Sequence, residues 1–205
     1  MENNTNTTLD KIIEAAKKEF MNKDFQNASL RNISKNAGVT TGAFYGYFKN
    51  KSELFDAIVG EQYVSLINLY CKILDNFSTI TPNEQSQKMM EYSLSRIEEM
   101  INYIYKNLTE FKLILCHSRG TKYEMLVHEM AKLDIKATHN FANAVNSVGG
   151  SIKNVDNFIE HIITTGMFSA LFELIIHDVP KDKAIDYAKT LTRFYYAGWK
   201  EIMGG

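Results

Sequence analysis

The sequence predicts an all-α fold of about nine helices, with a small three-helix unit at the N-terminus and a larger helical domain after it. Apolar residues recur three and four positions apart along most of the 205 residues, which is the spacing of one helix face. Strict alternation, typical of strands, is nearly absent. The only two prolines are Pro82 and Pro180, so long segments contain no helix breaker.

The first eight residues, MENNTNTT, are polar and predict a disordered arm at residues 1–8. They lack the basic start and apolar core of a signal peptide. Thr8 and Asp10 then open the first helix, whose apolar stripe runs from Ile12 to Phe20. Glu19 is expected on its solvent side. A loop at residues 22–24 is expected to end this helix.

The second helix is predicted to start at Ser29, a good N-cap, and to run to Ala37. Gly38 ends it where a left-handed residue is needed. A short third helix begins near Thr40 and stops near Phe48. The fourth helix starts at residues 50–52 and continues for about six turns, the length of its apolar stripe.

Five further apolar-periodic segments predict helices at 84–105, 110–118, 122–148, 155–177 and 182–203. The last two are unusually apolar, with small residues at the centres of their stripes. They fit two plain core helices and equally a self-complementary dimer interface. The residues of this predicted dimer face are Phe158, Ile162, Gly166, Ala170, Leu191, Phe194 and Gly198.

The cellular location is predicted to be cytoplasmic. The most apolar stretch, 162–176, is interrupted by two threonines, a serine and a glutamate, and we expect it to be too short and too polar to span a bilayer. The two cysteines, Cys71 and Cys116, are far apart in apolar surroundings. They are expected to be buried free thiols in a reducing compartment.

A local break in charge occurs at residues 25–51. This window contains four cations and no acidic residue, although the whole chain has a formal charge of −1. A surface of this kind suits a polyanion such as DNA. The same window contains a helix–turn–helix pattern with Gly38 as its turn and the small Ser34 where the two helices cross. The apolar residues predicted inside this corner are Ile33, Ala37, Val39, Phe44, Tyr47 and Phe48.

The outer side of the third helix predicts the DNA contacts. Each internal glycine costs about 1 kcal/mol of helix stability relative to alanine, so two of them, Gly42 and Gly46, require a reason. They either admit a neighbouring helix or let the backbone approach nucleic acid. We call the following predicted residues the DNA face: Arg31, Thr40, Thr41, Gly42, Tyr45, Gly46, Tyr47, Lys49 and Lys51.

The run AGVTTGAFYGYFKNKSELF resembles the signature of the tetracycline-repressor (TetR) family of bacterial transcription regulators. The resemblance covers roughly residues 9–60. It implies a helix-turn-helix DNA-binding domain at 9–52 and a ligand-binding and dimerisation domain at 53–205. Within the latter it implies a connecting helix at 53–75 and dimer helices at 155–203. Gly46 departs from the family, where a larger contacting residue is frequent, so some specificity is expected from DNA shape.

The larger domain is rich in methionine and aromatic residues, which could line an adaptable apolar cavity or simply form core. The candidate ligand contacts are Met89, Tyr92, Met100, Tyr103, Phe111, Met125, Phe141, Phe168 and Phe172. No catalytic constellation, cofactor motif or metal-ligand spacing stands out, and His128 and His139 are eleven residues apart rather than three or four.

These features predict a homodimeric, one-component regulator rather than an enzyme. It is expected to repress transcription from a palindromic operator and to be released by a small, largely apolar effector. The alternative is a ligand-independent DNA-binding or adaptor protein of the same fold. No membrane partner is expected.

Overall fold

The computed structural model describes residues 7–204, and in that part of the chain it contains nine α-helices, one 3₁₀ helix and no strand. The all-α prediction is confirmed. The α-helices are α1 (Thr8–Asn27), α2 (Leu30–Asn36), α3 (Thr41–Tyr45), α4 (Lys51–Ser78), α5 (Pro82–Lys106), α6 (Leu108–His117), α7 (Leu126–Ser147), α8 (Asn157–Ile176) and α9 (Lys181–Met203). The 3₁₀ helix is Lys122–Met125.

Residues 1–6 of the predicted arm lie outside the described residues, whereas its last two residues belong to the start of α1. The Thr7 hydroxyl accepts a hydrogen bond from Asp10 N, and the Asp10 carboxylate accepts one from Thr7 N at 2.9 Å. This capping box satisfies two of the free N–H groups at the helix start. Thr7 and Thr8, which were predicted to be disordered, are therefore the N-cap and the first residue of α1.

The loop expected at residues 22–24 is a kink rather than an end of α1. Asp24 has φ 59 and ψ 174, outside the helical range, and the helix resumes as far as Asn27. The Asp24 carboxylate accepts a hydrogen bond from Asn27 N at 3.0 Å. A short polar side chain that bonds its own backbone makes this left-handed φ tolerable without glycine.

The helices group into two compact units. The first unit comprises the described residues up to Val64 together with Thr109–Glu124; the second comprises Ser65–Leu108 and the described residues from Met125 onward. The chain passes between the units three times, and α4 contributes to both. The division by function at residue 52 remains a prediction.

Aromatic rings form the centre of the first unit. The Phe55 ring lies edge-on to Phe20 at 5.0 Å and to Phe25 at 5.3 Å between centroids. Tyr123 contributes from the second segment of this unit, with its ring 5.0 Å from that of Tyr63. Burying rings of this size supplies much of the apolar area that holds α1, α4 and the 3₁₀ helix together.

In the second unit α5 packs against α9 and α7, and α8 packs against α7 and α9. α8 is long and apolar enough to cross a membrane by length and composition alone, and 44% of its most apolar window is buried. The expectation that this segment is too short was wrong, because the helix extends N-terminally to Asn157. One such helix is weak support for a membrane span, since core helices pass the same test.

The prediction of buried thiols was wrong for Cys116, which is exposed, while Cys71 is half-buried. In α6 the buried residues Phe111 and Ile114 are three apart, and Ser118 continues their stripe. Cys116 lies off this stripe, so the apolar neighbours along the chain were misleading.

Candidate DNA-binding face and candidate ligand cavity

The helix–turn–helix corner has the backbone that the sequence predicted. Gly38 has φ 70, in the left-handed region that favours glycine. Val39 N donates to Ser34 O at 3.0 Å, which closes the corner. Ser34 is buried and its hydroxyl donates to Leu30 O at 2.9 Å, so the polar atom is satisfied where the helices cross.

A buried carboxylate fixes the start of α2. Glu19 is 8% exposed, and its Oε1 accepts hydrogen bonds from Ser29 N at 3.1 Å and from Asn32 Nδ2 at 3.3 Å. The expectation that Glu19 faces solvent was wrong. Its spacing of four and three from the buried Ala15 and Ala16 placed it on the apolar stripe and could have revealed this. A negative charge at a helix N-terminus is also favourable.

The outer side of α3 is open to solvent. Tyr45 and Tyr47 are 53% and 46% exposed, although both are large aromatic residues. Of the nine residues of the DNA face, all except Lys51 are exposed. Helix α3 ends at Tyr45, earlier than predicted, and Thr40 caps it by accepting a hydrogen bond from Ala43 N at 3.1 Å. The prediction that Tyr47 also lies inside the corner was wrong, because the helical spacing that placed it there ends two residues before it.

The two glycines of the α3 region differ in the space beside them. A Cβ on Gly42 would have Thr40 Oγ1 as its nearest neighbour, at 3.9 Å, and a Cβ on Gly46 would meet only the Ala43 carbonyl oxygen, at 3.2 Å. Within residues 7–204, therefore, no neighbouring helix requires either glycine. At Gly42 the missing Cβ leaves room for another molecule to approach the backbone closely.

Lys51 has a structural role that the sequence did not indicate. Its ammonium donates to Gln26 O at 2.8 Å and to Ala28 O at 3.1 Å, and lies 5.0 Å from the centre of the Phe25 ring. These contacts hold the end of α1 against the start of α4. One of the three ammonium donors is left for a phosphate.

The N-terminus of α4 is already partly capped. Asn50 Oδ1 accepts a hydrogen bond from Glu53 N at 2.8 Å, and the Glu53 carboxylate accepts one from Lys49 N at 2.7 Å. The Glu53 side chain thus contacts the backbone of residues 25–51, the window that contains no acidic residue of its own. Only the first N–H groups of α4 remain for an anion.

A polar cluster joins α4 to the 3₁₀ helix within the first unit; we call Asp56, Lys122 and Tyr123 the Asp56 cluster. The Asp56 carboxylate accepts hydrogen bonds from Lys122 Nζ at 2.7 Å and from the Tyr123 hydroxyl. These bonds, from Lys122 first and then Tyr123, lower the pKa of Asp56. Burial, with the bond to Asp56, raises the pKa of Tyr123.

The second unit contains a cavity of about 480 Å³ between α4, α5, α7, α8 and α9. Its lining is mainly apolar and aromatic, with several hydroxyl groups and three charged side chains. The lining residues are Leu74, Phe77, Ser86, Met89, Ser93, Arg96, Asp134, Ala137, Thr138, Phe141, Val145, Ser151, Ile152, Met167, Thr192, Tyr195, Tyr196, Trp199, Lys200, Met203 and Gly204.

Two of the nine candidate ligand contacts, Met89 and Phe141, line this cavity. The other seven lie elsewhere. The Tyr92 ring contacts that of the lining residue Phe77 in a tilted arrangement, with ring centroids 4.8 Å apart. Met100, Phe168 and Phe172 are buried in the core, Tyr103 is half-buried, Met125 is exposed, and Phe111 belongs to the first unit.

A charged network forms one part of the cavity wall. Arg96 Nη1 donates to Asp134 Oδ1 at 3.0 Å, and the Tyr70 hydroxyl donates to the same oxygen. The Arg96 guanidinium also lies 5.3 Å from the centre of the Tyr70 ring. Burial acts to lower the pKa of Arg96, but the Asp134 carboxylate contributes to raising it above its usual value. Sequence reasoning missed these residues because they are far apart along the chain.

The predicted dimer face includes large apolar side chains in solvent. Phe158, Ile162 and Phe194 are 69%, 50% and 72% exposed. Gly166, Ala170 and Leu191 are half-buried, and Gly198 is exposed. Large apolar side chains exposed on one face mark an interaction surface when they form a single patch.

Histidines of the second unit contact one another or an acidic side chain. The His128 and His161 rings stack with centroids 5.8 Å apart, and His139 Nε2 lies 2.7 Å from the buried Glu160 carboxylate. Among the described residues, no group of three or more His, Cys, Asp or Glu side chains is arranged to hold a metal ion.

Comparison with known proteins gives consistent matches. A family model described as bacterial regulatory proteins of the tetR family matches residues 12–58. The probable HTH-type transcriptional regulator YttP of Bacillus subtilis (strain 168) is 34% identical over 107 residues, which are 51% of this chain and 48% of that protein. The HTH-type transcriptional regulator TtgR of Pseudomonas putida is 29% identical over 117 residues, 55% of each chain.

The chain therefore spans about half the length of these two relatives. Among solved structures, SCO3833, a TetR-family member from Streptomyces coelicolor, superposes with a TM-score of 0.60 at 17% identity. The match covers 91% of this chain and 90% of that one. At this identity the likeness concerns the fold, which extends over both units.

Proposed function

We propose that this chain, which belongs to the TetR family of bacterial regulatory proteins, represses transcription in the cytoplasm as a homodimer. It binds a palindromic operator through the DNA face and leaves it when a small molecule enters the cavity of the second unit. The matched relatives are named as transcriptional regulators, and no enzymatic step is part of the proposal.

The observation that carries DNA binding is the open surface around Gly42. Two large tyrosines remain exposed near Gly42, where a Cβ would meet no described atom closer than 3.9 Å. A protein backbone stripped of Cβ atoms can lie close to DNA, and tyrosine hydroxyls and lysine ammonium groups then bond phosphates. Thr41 supplies a hydroxyl and a methyl group of the kind that contact a base edge and a thymine methyl.

The observation that favours effector control is the cavity itself. A volume of about 480 Å³ with mainly apolar walls and a few polar groups is typical of a small-molecule site. The rival proposal, a ligand-independent binder of the same fold, has no use for such a space. It would gain support if the melting temperature stayed constant across a metabolite library.

The exposed apolar residues of α8 and α9 support a homodimer. A two-fold symmetric interface uses the same patch on both copies, and Phe158, Ile162 and Phe194 offer such a patch. A dimer presents two copies of α3, which suits two operator half-sites about 34–36 Å apart. A charge placed at Ala170 is expected to yield monomers by sedimentation; an unchanged dimer would refute this interface.

We propose that α4 carries the signal. It runs without a break from Lys51, in the DNA face, to Leu74 and Phe77, in the cavity wall. A ligand that displaces its C-terminal part is expected to change the path of its N-terminal part. The Asp56 cluster holds α4 to the 3₁₀ helix on the way.

Selection of DNA from a random duplex library by the purified protein tests this proposal. We expect enrichment of a palindrome, and we expect Tyr45→Phe to weaken binding evenly across sequences because its hydroxyl bonds a phosphate. Thr41→Ala should instead relax the preference at one base pair of each half-site. Absence of any enriched sequence would contradict operator recognition.

A further inference from the structure

The cavity of the second unit has a long axis, which follows the helices that line it. Ser86, Met89, Ser93 and Arg96 lie on one face of α5. Ten residues separate the first from the last, so this wall is about 15 Å long. The cavity is therefore elongated, and its two ends have different chemistry.

The ends are identified by contacts between neighbouring helices. Glu98 of α5 pairs with Lys189 of α9 at 2.5 Å, so α9 residues just after Lys189 lie beside Arg96. Thr192 and Asp134 therefore share the Arg96 end. Ion pairing and burial close this end, because Asp134 and Thr192 are both buried.

The opposite end is open. Lys153 N donates to Met203 O at 3.0 Å, and Asn146 Oδ1 accepts a hydrogen bond from Ile152 N at 2.7 Å. These bonds bring the segment after α7 to the end of α9. Ser86, Ser151, Lys200 and Gly204 are exposed lining residues, so this is the end through which a ligand can enter.

The charged residues are divided between the two ends: Arg96 and Asp134 form an ion pair at the closed end, and Lys200 lies at the open end. Arg96 and Lys200 are cationic and Asp134 is the one anionic residue lining the cavity. Arg96 carries five N–H donors, and its bond to Asp134 uses one of them. Asp134 is already held by the Tyr70 hydroxyl as well. The closed end thus offers more donors than acceptors.

We propose that the cavity takes an amphipathic monocarboxylate, with the carboxylate at Arg96 and an apolar chain along Phe77, Met89, Phe141 and Met167. An arginine fork matches the planar carboxylate, and the elongated apolar walls match an unbranched chain. The proposal rests on the proposed function, since it names the class of the effector for the same cavity. The alternative is a cationic ligand held by Asp134, and the experiment below distinguishes it from a carboxylate held by Arg96.

The test compares three ligands that share one chain and differ in the head group. Decanoate, decanol and decyltrimethylammonium are titrated calorimetrically into the full-length protein below their micelle concentrations. We expect decanoate to bind at least about tenfold more tightly than decanol, the gain from charge-assisted hydrogen bonds, and more tightly than the ammonium compound. Equal affinities, or tightest binding of the ammonium compound, would overturn the proposal.

Arg96→Met is expected to abolish the preference of decanoate over decanol, whereas Arg193→Met, an exposed arginine of α9 outside the lining, retains it. If Arg96→Met fails to fold because Asp134 is left unpaired, the variant Arg96→Met/Asp134→Asn removes both charges and keeps an acceptor for Tyr70. Its binding of decanol should persist without a preference for decanoate. A preference retained in this variant would place the carboxylate elsewhere and contradict the proposal.

The same samples separate this inference from the proposed function. Decanoate preference without any effect on the DNA complex would support the ligand class and contradict effector control. Release of DNA by another ligand, together with equal affinity for decanoate and decanol, would contradict the ligand class and leave the proposed function standing.

Discussion

The two units build their candidate sites in opposite ways. In the first unit, the nine residues of the DNA face all come from one short segment, Arg31 to Lys51, whose backbone is set by caps and a glycine turn. In the second, the cavity is lined by five helices and draws residues from Leu74 to Gly204. A surface of this kind can lose a contact without losing its fold, whereas a cavity wall is also the core of its unit.

The largest effect is expected at the DNA face. Gly42→Leu should lower operator affinity by about 100-fold, as loss of close backbone approach removes several contacts at once. The melting temperature should change little, because a Cβ at this position meets no atom closer than 3.9 Å. Fluorescence anisotropy and thermal melting check both parts. Undiminished affinity would show that the glycine does not face DNA.

A substitution in the cavity should abolish the response to ligand and leave DNA affinity unchanged. Ala137→Phe places a ring in the lining and is expected to block ligand binding, so that a ligand which releases the wild-type protein from DNA no longer does so. DNA affinity without ligand should be unchanged, since Ala137 lies in the second unit. Anisotropy with and without ligand measures this. Normal release by the variant would place the effector elsewhere.

Glu19→Ala tests whether a buried residue of the first unit affects its stability more than the exposed residues of the DNA face do. Removing the carboxylate leaves Ser29 N without its side-chain acceptor, and the expected loss of stability is about 1–3 kcal/mol. Glu19→Gln should lose less, since the amide oxygen still accepts. Urea unfolding gives both values. If the two variants were equally stable, the buried hydrogen bonds would not account for the role of Glu19.

The smallest effect is expected from pH at the Asp56 cluster. Hydrogen bonds from Lys122 and Tyr123 lower the folded-state pKa of Asp56. Its stabilising contribution is therefore fully present above the unfolded value of about 3.9 and is lost as pH falls through the lower folded value. Asp56→Asn should show a flatter loss of stability in acid. Identical acid profiles for both proteins would exclude this contribution.

The sequence predicted most of the first unit because the determinants of its helix ends are local. Ser29 and Gly38 act on their own helix ends, and the structure has both where expected. Prediction failed mainly where a side chain reaches across the chain: Glu19 was placed in solvent, and the carbonyl contacts of Lys51 were missed. The Glu19 contacts depend on how α1 and α2 pack, and the Lys51 contacts depend on how α1 and α4 pack.

The cavity was harder to predict for the same physical reason. Met89 and Phe141 were identified by residue type, but so were Phe168 and Phe172, which are buried in the core. An apolar stripe does not reveal which of its members faces a void. Arg96 and Asp134 meet only after α5 and α7 pack, so no local pattern marks them.

The salt dependence of DNA binding tests the central claim most directly. With two to three cationic phosphate contacts from each subunit, log K against log salt concentration should fall with a slope of about −4 to −5 for a dimer. The measurement is a titration of labelled operator at several salt concentrations. A slope in this range would support DNA binding through the exposed face of the first unit, and a flat response would contradict it.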